Sequence, residues 1–302
     1  MNKISVNKIP IVFTFDKRII LGAAVAIKSL IDNAKQNTSY DIYVYHPDIA
    51  YKTIKYFEEM LSNTNHSISF YHINKSRFKD APINKGGSWT EIVYYRLLTP
   101  ELLPQYDKAI YIDVDVLFKK DLSEVFNIDI SGYECAAVPV ELNSDKMICH
   151  KYFPENKNKY IYISSFLVMN LKLMREEKTV QKFLEVISSF NKRLKFFDLD
   201  TLNIACDRFY DLPFSYGTFQ SIFYKEDVTK AREYPFLKDI YSIKEIEKAK
   251  KETVFIHYAG KPGKPWRMKK PYIDYLEYIN KIPKKLKKYT FRDIRKKLLS
   301  KH

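Results

Sequence analysis

The chain has 302 residues, 46% hydrophobic and 29% charged, which is enough apolar material for a sizeable core and excludes a disordered segment. Its formal net charge of +15 would suit nucleic acid, but residues 281–301 hold ten Lys or Arg and one acid, so this tail carries +9 of it and leaves the body only mildly basic, with no nucleic-acid motif. The three cysteines, Cys135, Cys149 and Cys206, are far apart and lack CxxC spacing, so neither a disulfide framework nor a zinc site is indicated and a reducing cytoplasm is the expected home.

In chain order, strand-like and helix-like patterns alternate. Ile9 to Phe15 is an apolar run closed by Asp16, Lys17 and Arg18, too short for a secretory signal. Ile19 to Asn33 has helical periodicity and contains Lys28, which fits a helix with one buried face and not a membrane span. Tyr40 to His46 reads as a strand, Ile49 to Ser62 as a helix and Ser67 to His72 as a strand. This alternation predicts βαβ units on a largely parallel sheet. Pro82, Gly86 and Gly87 break the chain before a helical stretch, Thr90 to Leu98, closed by Pro100, and Lys108 to Ile112 is a further strand. Beyond Glu134 to Val138, the polar and aperiodic stretch Glu141 to Lys159 suits a cover over a site. Tyr160 to Met169 reads as a strand, Leu171 to Phe190 as one helix, Asp198 to Cys206 as a shorter helix with Asp198 near its cap, and Thr253 to Tyr258 as the last strand.

The run YIDVDVL, ending a strand in Asp113, Val114 and Asp115, carries the first chemistry. Alternate residues of an extended chain point the same way, so both carboxylates face one side at the strand's C-terminal end, where open α/β sheets bind ligands. Like charges so close call for a cation between them, and a divalent ion with oxygen ligands is the simplest; a solvated loop is the plain alternative. The second motif is IHYAGKPGKPW, residues 256–266, where a strand delivers His257 to a turn containing Gly260, Lys261, Gly263 and Lys264. A neutral imidazole can be a third metal ligand, and carboxylates with one imidazole suit Mn²⁺ better than Mg²⁺. Glycine lets backbone N–H groups approach a phosphate and the lysine adds a point charge. An exposed basic turn beside a packed histidine is the alternative, and the joint occurrence of both motifs favours the site.

With these motifs in order over residues 9–266, the chain resembles glycosyltransferase family 8, the retaining transferases that include bacterial lipooligosaccharide galactosyltransferases and the glycogenins. The resemblance implies a GT-A type α/β fold with a mostly parallel central sheet flanked by helices. It also implies Mn²⁺, with Mg²⁺ as the alternative, held by Asp113, Asp115 and His257 against the diphosphate of a UDP-sugar. VFTFD matches the family's first strand and uridine-binding turn, placing Thr14 and Asp16 near the nucleoside with Val114 beside the ribose. YYRLLTPELLP matches the helix whose arginine, here Arg96, contacts the donor; without the family pattern an ordinary helix-surface salt bridge is the reading of Arg96. Gly260, Lys261 and Lys264 fall in the diphosphate-binding HxxGxxKPW region, with one residue inserted between the glycine and Lys264.

Two departures lie at the sugar pocket. Where the family carries F-N-[AS]-G, this chain has Tyr162, Ile163, Ser164 and Ser165; where it carries D-Q-D-x-L-N, this chain keeps Asp198 as the sugar-binding acid but has Leu199 in place of the amide beneath the anomeric carbon. The implied enzyme transfers galactose or glucose from UDP-galactose or UDP-glucose to a lipopolysaccharide-type glycan or glycolipid. A non-catalytic sugar-nucleotide or glycan binder on the same fold is the alternative. Residues 1–266 are expected to form the catalytic domain and 267–302 a basic amphipathic tail. There Leu286, Tyr289, Ile294 and Leu298 recur at helical spacing, as in a helix lying on an anionic membrane surface at the cytoplasmic face; a disordered solubilising tail or a helix packed on the body is the alternative.

Overall fold

A computed structural model describes residues 7–79, 81–83 and 90–287. Its strands are β1 (Asn7–Thr14), β2 (Thr38–His46), β3 (Ser67–His72), β4 (Lys108–Ile112), β5 (Val116–Phe118), β6 (Cys135–Leu142), β7 (Tyr160–Asn170), β8 (Phe209–Asp211), β9 (Thr218–Phe219) and β10 (Phe255–His257). Helices of six residues or more are α1 (Ile20–Asp32), α2 (Tyr51–Leu61), α3 (Leu171–Glu176), α4 (Thr179–Phe190), α5 (Asp198–Ala205), α6 (Ile243–Lys251) and α7 (Ile273–Lys281).

Alternation along β1 divides the interior into two layers. Ile9, Ile11 and Phe13 join the cluster that includes α1, whereas Val12 points into a second cluster with Tyr94, Leu97, Phe183 and Leu202. β4 repeats the division, with Ile110 and Ile112 on one side and Ala109 and Tyr111 on the other. Strands buried on both faces read as continuous apolar runs, which is the pattern of a sheet covered by helices on each side.

The main sheet has the order β3-β2-β1-β4-β7-β6-β8. β1 runs parallel to β2 and β4, β2 to β3, and β6 to β8, while β7 is antiparallel to both its neighbours. The expected α/β fold with a mostly parallel sheet is therefore present. Along β7 the alternation slips: Ile161 and Ile163 face the first cluster but so do Phe166 and Val168, and the register with β6 shifts between Ala137 and Pro139. Such a bulge re-aims the strand, here at Ser164 and Ser165.

A second, small sheet has the order β5-β10-β9. β5 was not legible as a strand because it is three residues long and follows the aspartates directly. Its antiparallel pairing with β10 sets His257 opposite Val116, and the Tyr258 N–H donates to the Asp115 carbonyl at 2.8 Å. The placing of His257 beside Asp115 rests on this pairing.

The helical stretch expected at Thr90 to Leu98 is present, as a 3₁₀ helix over Glu91–Leu98; i,i+3 burial satisfies both helical patterns. Several other expectations need correction. Leu171 to Phe190 is not one helix, because Lys178 takes φ 54° and separates α3 from α4. The stretch after Glu141 has no regular element from Asn143 to Lys159, but it is tied down: the Glu141 carboxylate accepts backbone N–H bonds from Ile148, Cys149 and His150 at 2.5, 3.0 and 2.8 Å. Residue 266 is not where the body ends. α7 packs on α1, Tyr275 is fully buried, and Asn33 donates to the Tyr278 hydroxyl at 3.0 Å. Leu286, expected on the outward stripe of the tail, is fully buried in the main core with Ile282 beside it. Tyr289, Ile294 and Leu298, like Gly86 and Gly87, lie outside the described residues. Among the described residues no helix is long and apolar enough to cross a membrane.

Candidate active site

Asp113 and Asp115 sit between β4 and β5, where the chain leaves the main sheet for the small one. The Asp113 N–H donates to the Ser165 carbonyl at 2.9 Å, so the bulge on β7 fixes the start of the turn. Val114 between them is buried. His257, at the end of β10, presents its Nε2 3.6 Å from Asp115 Oδ1, while its Nδ1 lies 3.4 Å from Ser165 Oγ. The candidate ligand atoms of Asp113, Asp115 and His257 all fall within 4.8 Å of one another. Two carboxylates and one imidazole gathered at strand ends fit a divalent ion that takes both oxygen and nitrogen ligands.

Arg96 Nη2 is 2.9 Å from Asp113 Oδ1 and its Nη1 is 3.3 Å from Asp198 Oδ2. The guanidinium also donates to the carbonyls of Val93 at 3.0 Å and Ser164 at 2.6 Å and lies over the Tyr111 ring, 4.2 Å from its centroid. Burial opposes its charge, but Asp113 and Asp198 more than offset that and hold its pKa above the ordinary arginine value. Arg96 is thus a fixed buried cation and not a helix-surface salt-bridge partner. Burial pushes the Asp198 carboxyl up to about 6 against the pull of Arg96. Its Oδ2 is buried and, apart from the ion pair with Arg96, makes no hydrogen bond.

Gly260 and Gly263 take φ of 67° and 120° in the turn after β10, a region that L side chains avoid. Gln220 Nε2 holds the turn, donating to the carbonyls of Ala259 at 2.9 Å and Gly263 at 3.3 Å. Trp266 closes it by packing on α1, so tightly that a Cβ at Gly22 would lie 2.8 Å from the indole. Despite the inserted residue, Lys264 reaches the cluster: its Nζ is ion-paired with Asp115 Oδ2 and donates to the Tyr258 carbonyl at 3.0 Å. Burial raises the Asp115 carboxyl, but Lys264 and then His257 outweigh it and hold the pKa well below the carboxylate range. Lys261 is exposed and is not drawn into these ion pairs.

Of the residues expected near the nucleoside, Thr14 is connected to the same centre. Thr14 Oγ1 lies 2.9 Å from the Tyr111 hydroxyl, which donates to Asp113 Oδ1 at 2.6 Å. Asp16 is buried and accepts from the Arg18 backbone N–H at 2.8 Å and side-chain Nε at 2.6 Å. Of the site residues read from sequence, Asp113, Asp115, His257, Arg96, Asp198 and Lys264 are thus brought together, with Thr14 joined through Tyr111, whereas the contacts of Asp16 are with Arg18 and Lys261 stands apart. Sequence reasoning missed Tyr111, Ser165 and Gln220. Tyr111 stands two residues before Asp113 on the same strand face, a signal that was present; Ser165 and Gln220 act through contacts that no periodicity announces. Ile163 and Leu199, at the two departures, are buried in the main core cluster.

A nucleotide-diphosphate-sugar transferase fold with a divalent-metal donor set is the class this arrangement defines. Residues 10–270 match the model described as Glycosyl transferase family 8, and the chain belongs to that family of glycosyltransferases. It is 26% identical over 264 residues to the lipopolysaccharide 1,2-glucosyltransferase of Escherichia coli, covering 83% of this chain and 71% of the relative. It is 27% identical over 270 residues to the lipopolysaccharide 1,3-galactosyltransferase of Salmonella typhimurium (strain LT2), covering 86% and 73%. Among solved structures, the galactosyltransferase LgtC in complex with donor and acceptor sugar analogs superposes with a TM-score of 0.74 at 19% identity, covering 93% of this chain and 100% of that one. The bifunctional WbbM superposes with a TM-score of 0.76 at 24% identity and covers 97% of this chain, which spans 52% of WbbM. These likenesses show the fold, which is GT-A.

Proposed function

We propose that the enzyme transfers galactose or glucose from a UDP-sugar to a lipopolysaccharide-type glycan acceptor, with retention of configuration and with Mn²⁺. The observation that carries this reading is the convergence of Asp113, Asp115 and His257 within 4.8 Å, flanked by the Gly260 to Lys264 turn and by the Arg96–Asp198 pair. The sugar and acceptor classes follow the names of the relatives. The imidazole in the donor set favours Mn²⁺ over Mg²⁺.

In this reading Asp113, Asp115 and His257 hold the metal, which when bound would offset charge developing on the departing diphosphate. Thr14, Asp16 and Val114 receive the nucleoside, and Gly260, Lys261 and Lys264 the diphosphate. Arg96 fixes Asp113 and Asp198, and Asp198 orients the sugar through its carboxylate. Leu199 offers no nucleophilic atom for a double displacement. The acceptor hydroxyl therefore attacks on the face the diphosphate leaves: the bond from the anomeric carbon to the diphosphate oxygen breaks, the new C–O bond forms, and the hydroxyl proton passes to the leaving phosphate. Residues beyond the body bring the enzyme to the cytoplasmic face of the membrane, where a lipid-linked acceptor is met.

The test is UDP release from UDP-galactose and UDP-glucose with Mn²⁺ or with chelator, followed by NMR of the product linkage. An α-linked product from an α-linked donor is expected, and a β-linkage ends the retaining reading. Asp115→Asn is expected to abolish Mn²⁺-dependent UDP binding in calorimetry; unchanged affinity overturns the metal assignment.

A further inference from the structure

Each carboxylate of the metal cluster already has a cation. Asp113 has Arg96 at 2.9 Å, and Asp115 has Lys264 on Oδ2 with His257 Nε2 3.6 Å from Oδ1. A divalent ion that takes Asp115 Oδ2 as a ligand and an ammonium on the same oxygen exclude one another, by charge and by space.

The two cations differ in their freedom to leave. The Arg96 side chain is 6% exposed, donates to two carbonyls, touches two carboxylates and stacks on Tyr111. Moving it would strand a buried charge and several buried acceptors. The Lys264 side chain is 33% exposed, sits beside a turn containing two positive-φ glycines, and apart from Asp115 its ammonium contacts the single carbonyl of Tyr258. Its stem is flexible and its charge compact.

We propose that Lys264 is an exchangeable counter-ion of the metal site. It holds Asp115 in place as a positioning residue, and when metal and nucleoside diphosphate bind together its ammonium passes from the carboxylate to the diphosphate. This rests on the metal reading above. Metal alone has to displace the lysine into water, whereas metal arriving with a diphosphate gives the lysine a new anion. Binding of the two ligands is therefore cooperative, and reciprocally so, since a coupling between two sites acts equally in both directions.

The experiment measures Mn²⁺ and UDP affinities by calorimetry and Mn²⁺ electron paramagnetic resonance, each ligand alone and in the presence of the other, for the wild type, Lys264→Met, Lys264→Arg and Asp115→Asn. Lys264→Met is expected to bind Mn²⁺ alone about tenfold tighter and UDP at saturating Mn²⁺ about tenfold weaker, so that the coupling between the ligands shrinks. Lys264→Arg keeps the charge and is expected to keep wild-type Mn²⁺ affinity. Lys264→Gln replaces the methionine variant if thermal unfolding shows that the latter fails to fold. If loss of the lysine charge leaves Mn²⁺ affinity unchanged or weaker while Asp115→Asn abolishes it, the exchange is wrong and the metal site stands. If Asp115→Asn retains Mn²⁺ binding, the metal reading itself falls, and the exchange with it.

Discussion

Asn203 is bonded to Tyr162 in both directions: its Oδ1 accepts the Tyr162 N–H at 2.8 Å and its Nδ2 donates to the Tyr162 carbonyl at 2.8 Å. A side-chain amide here replaces a neighbouring strand at the bulged part of β7, and it ties α5, which carries Asp198, to the strand that carries Ser164 and Ser165. Asn203→Leu removes both partners of buried backbone groups, at a cost of about 2–4 kcal/mol from leaving them unsatisfied. The expected outcome is a clear drop in thermal midpoint with a disproportionate loss of donor hydrolysis. A midpoint equal to wild type would show that the two elements are held together by other contacts.

Gly260 combines a φ of 67° with contact to a neighbour: a Cβ there would sit 3.4 Å from Arg232 Cζ and closer still to its Nη1. Gly260→Ala therefore carries backbone strain of about 1–2 kcal/mol and pushes the Arg232 side chain aside. UDP affinity measured by calorimetry is expected to fall several-fold, and the unfolding midpoint to drop by a few degrees, because the strain is carried by the folded state alone. Loss of affinity for uridine monophosphate to the same degree would argue that the glycine does not serve the diphosphate.

Glu141 gives the fold a defined acid limb. Burial raises its carboxyl, but the His150 ring and the backbone N–H groups of Cys149, His150 and Ile148 outweigh this and bring the pKa from 4.5 to about 2. A carboxyl with a folded pKa below its unfolded one stabilises the fold fully above the unfolded value and loses that stabilisation as pH falls toward the folded value. The window is pH 4.5 to about 2, and the stabilisation at stake is about 3 kcal/mol. Denaturant unfolding should show Glu141→Gln well below wild type at pH 7, with the gap closing through this window. A gap that does not depend on pH would mean that the loss is one of packing and not of charge.

The residues proposed to hold the metal were legible because two physical rules are local: alternation puts Asp113 and Asp115 on one face, and a strand end followed by glycines and lysines marks a turn suited to anions. Their assembly was not. It depends on the pairing of β10, which was read within Thr253 to Tyr258, with β5, which at three residues is too short for any period to appear. Residues 207–252 yielded no element to pattern reading, although Ser242 and Glu245 form a capping box at the start of α6, a signal available in the sequence. Lys178 broke a helix that periodicity joined, because a non-glycine residue at positive φ is invisible to composition. Leu286 was misassigned for a related reason: helical spacing tells which residues share a face, not whether that face meets membrane or core.

The buried position of Leu286 reshapes the membrane proposal. Removing the chain from residue 281 onward would strip Ile282 and Leu286 from the core and confuse unfolding with loss of an anchor. The informative cut follows Lys287, the last described residue; it removes six Lys or Arg and Asp293, a net +5, while keeping Ile282 and Leu286. On the body, α7 buries Tyr275 and exposes Ile273 (79%) and Leu276 (39%), with Lys269 and Lys270 exposed just before it. Apolar side chains beside cations suit a headgroup boundary, where each cation near an anionic surface is worth about 1 kcal/mol. The proposed membrane contact therefore predicts that the full chain co-sediments with vesicles containing anionic lipid at low salt and is released by high salt, because the surface potential is screened within a Debye length. The truncated chain, residues 1–287, should bind such vesicles at least tenfold more weakly, and adding Ile273→Ser with Leu276→Ser should remove most of what remains. UDP affinity should be the same in all three proteins. Equal sedimentation of the full and truncated chains at low salt would show that residues 288–302 are not the anchor.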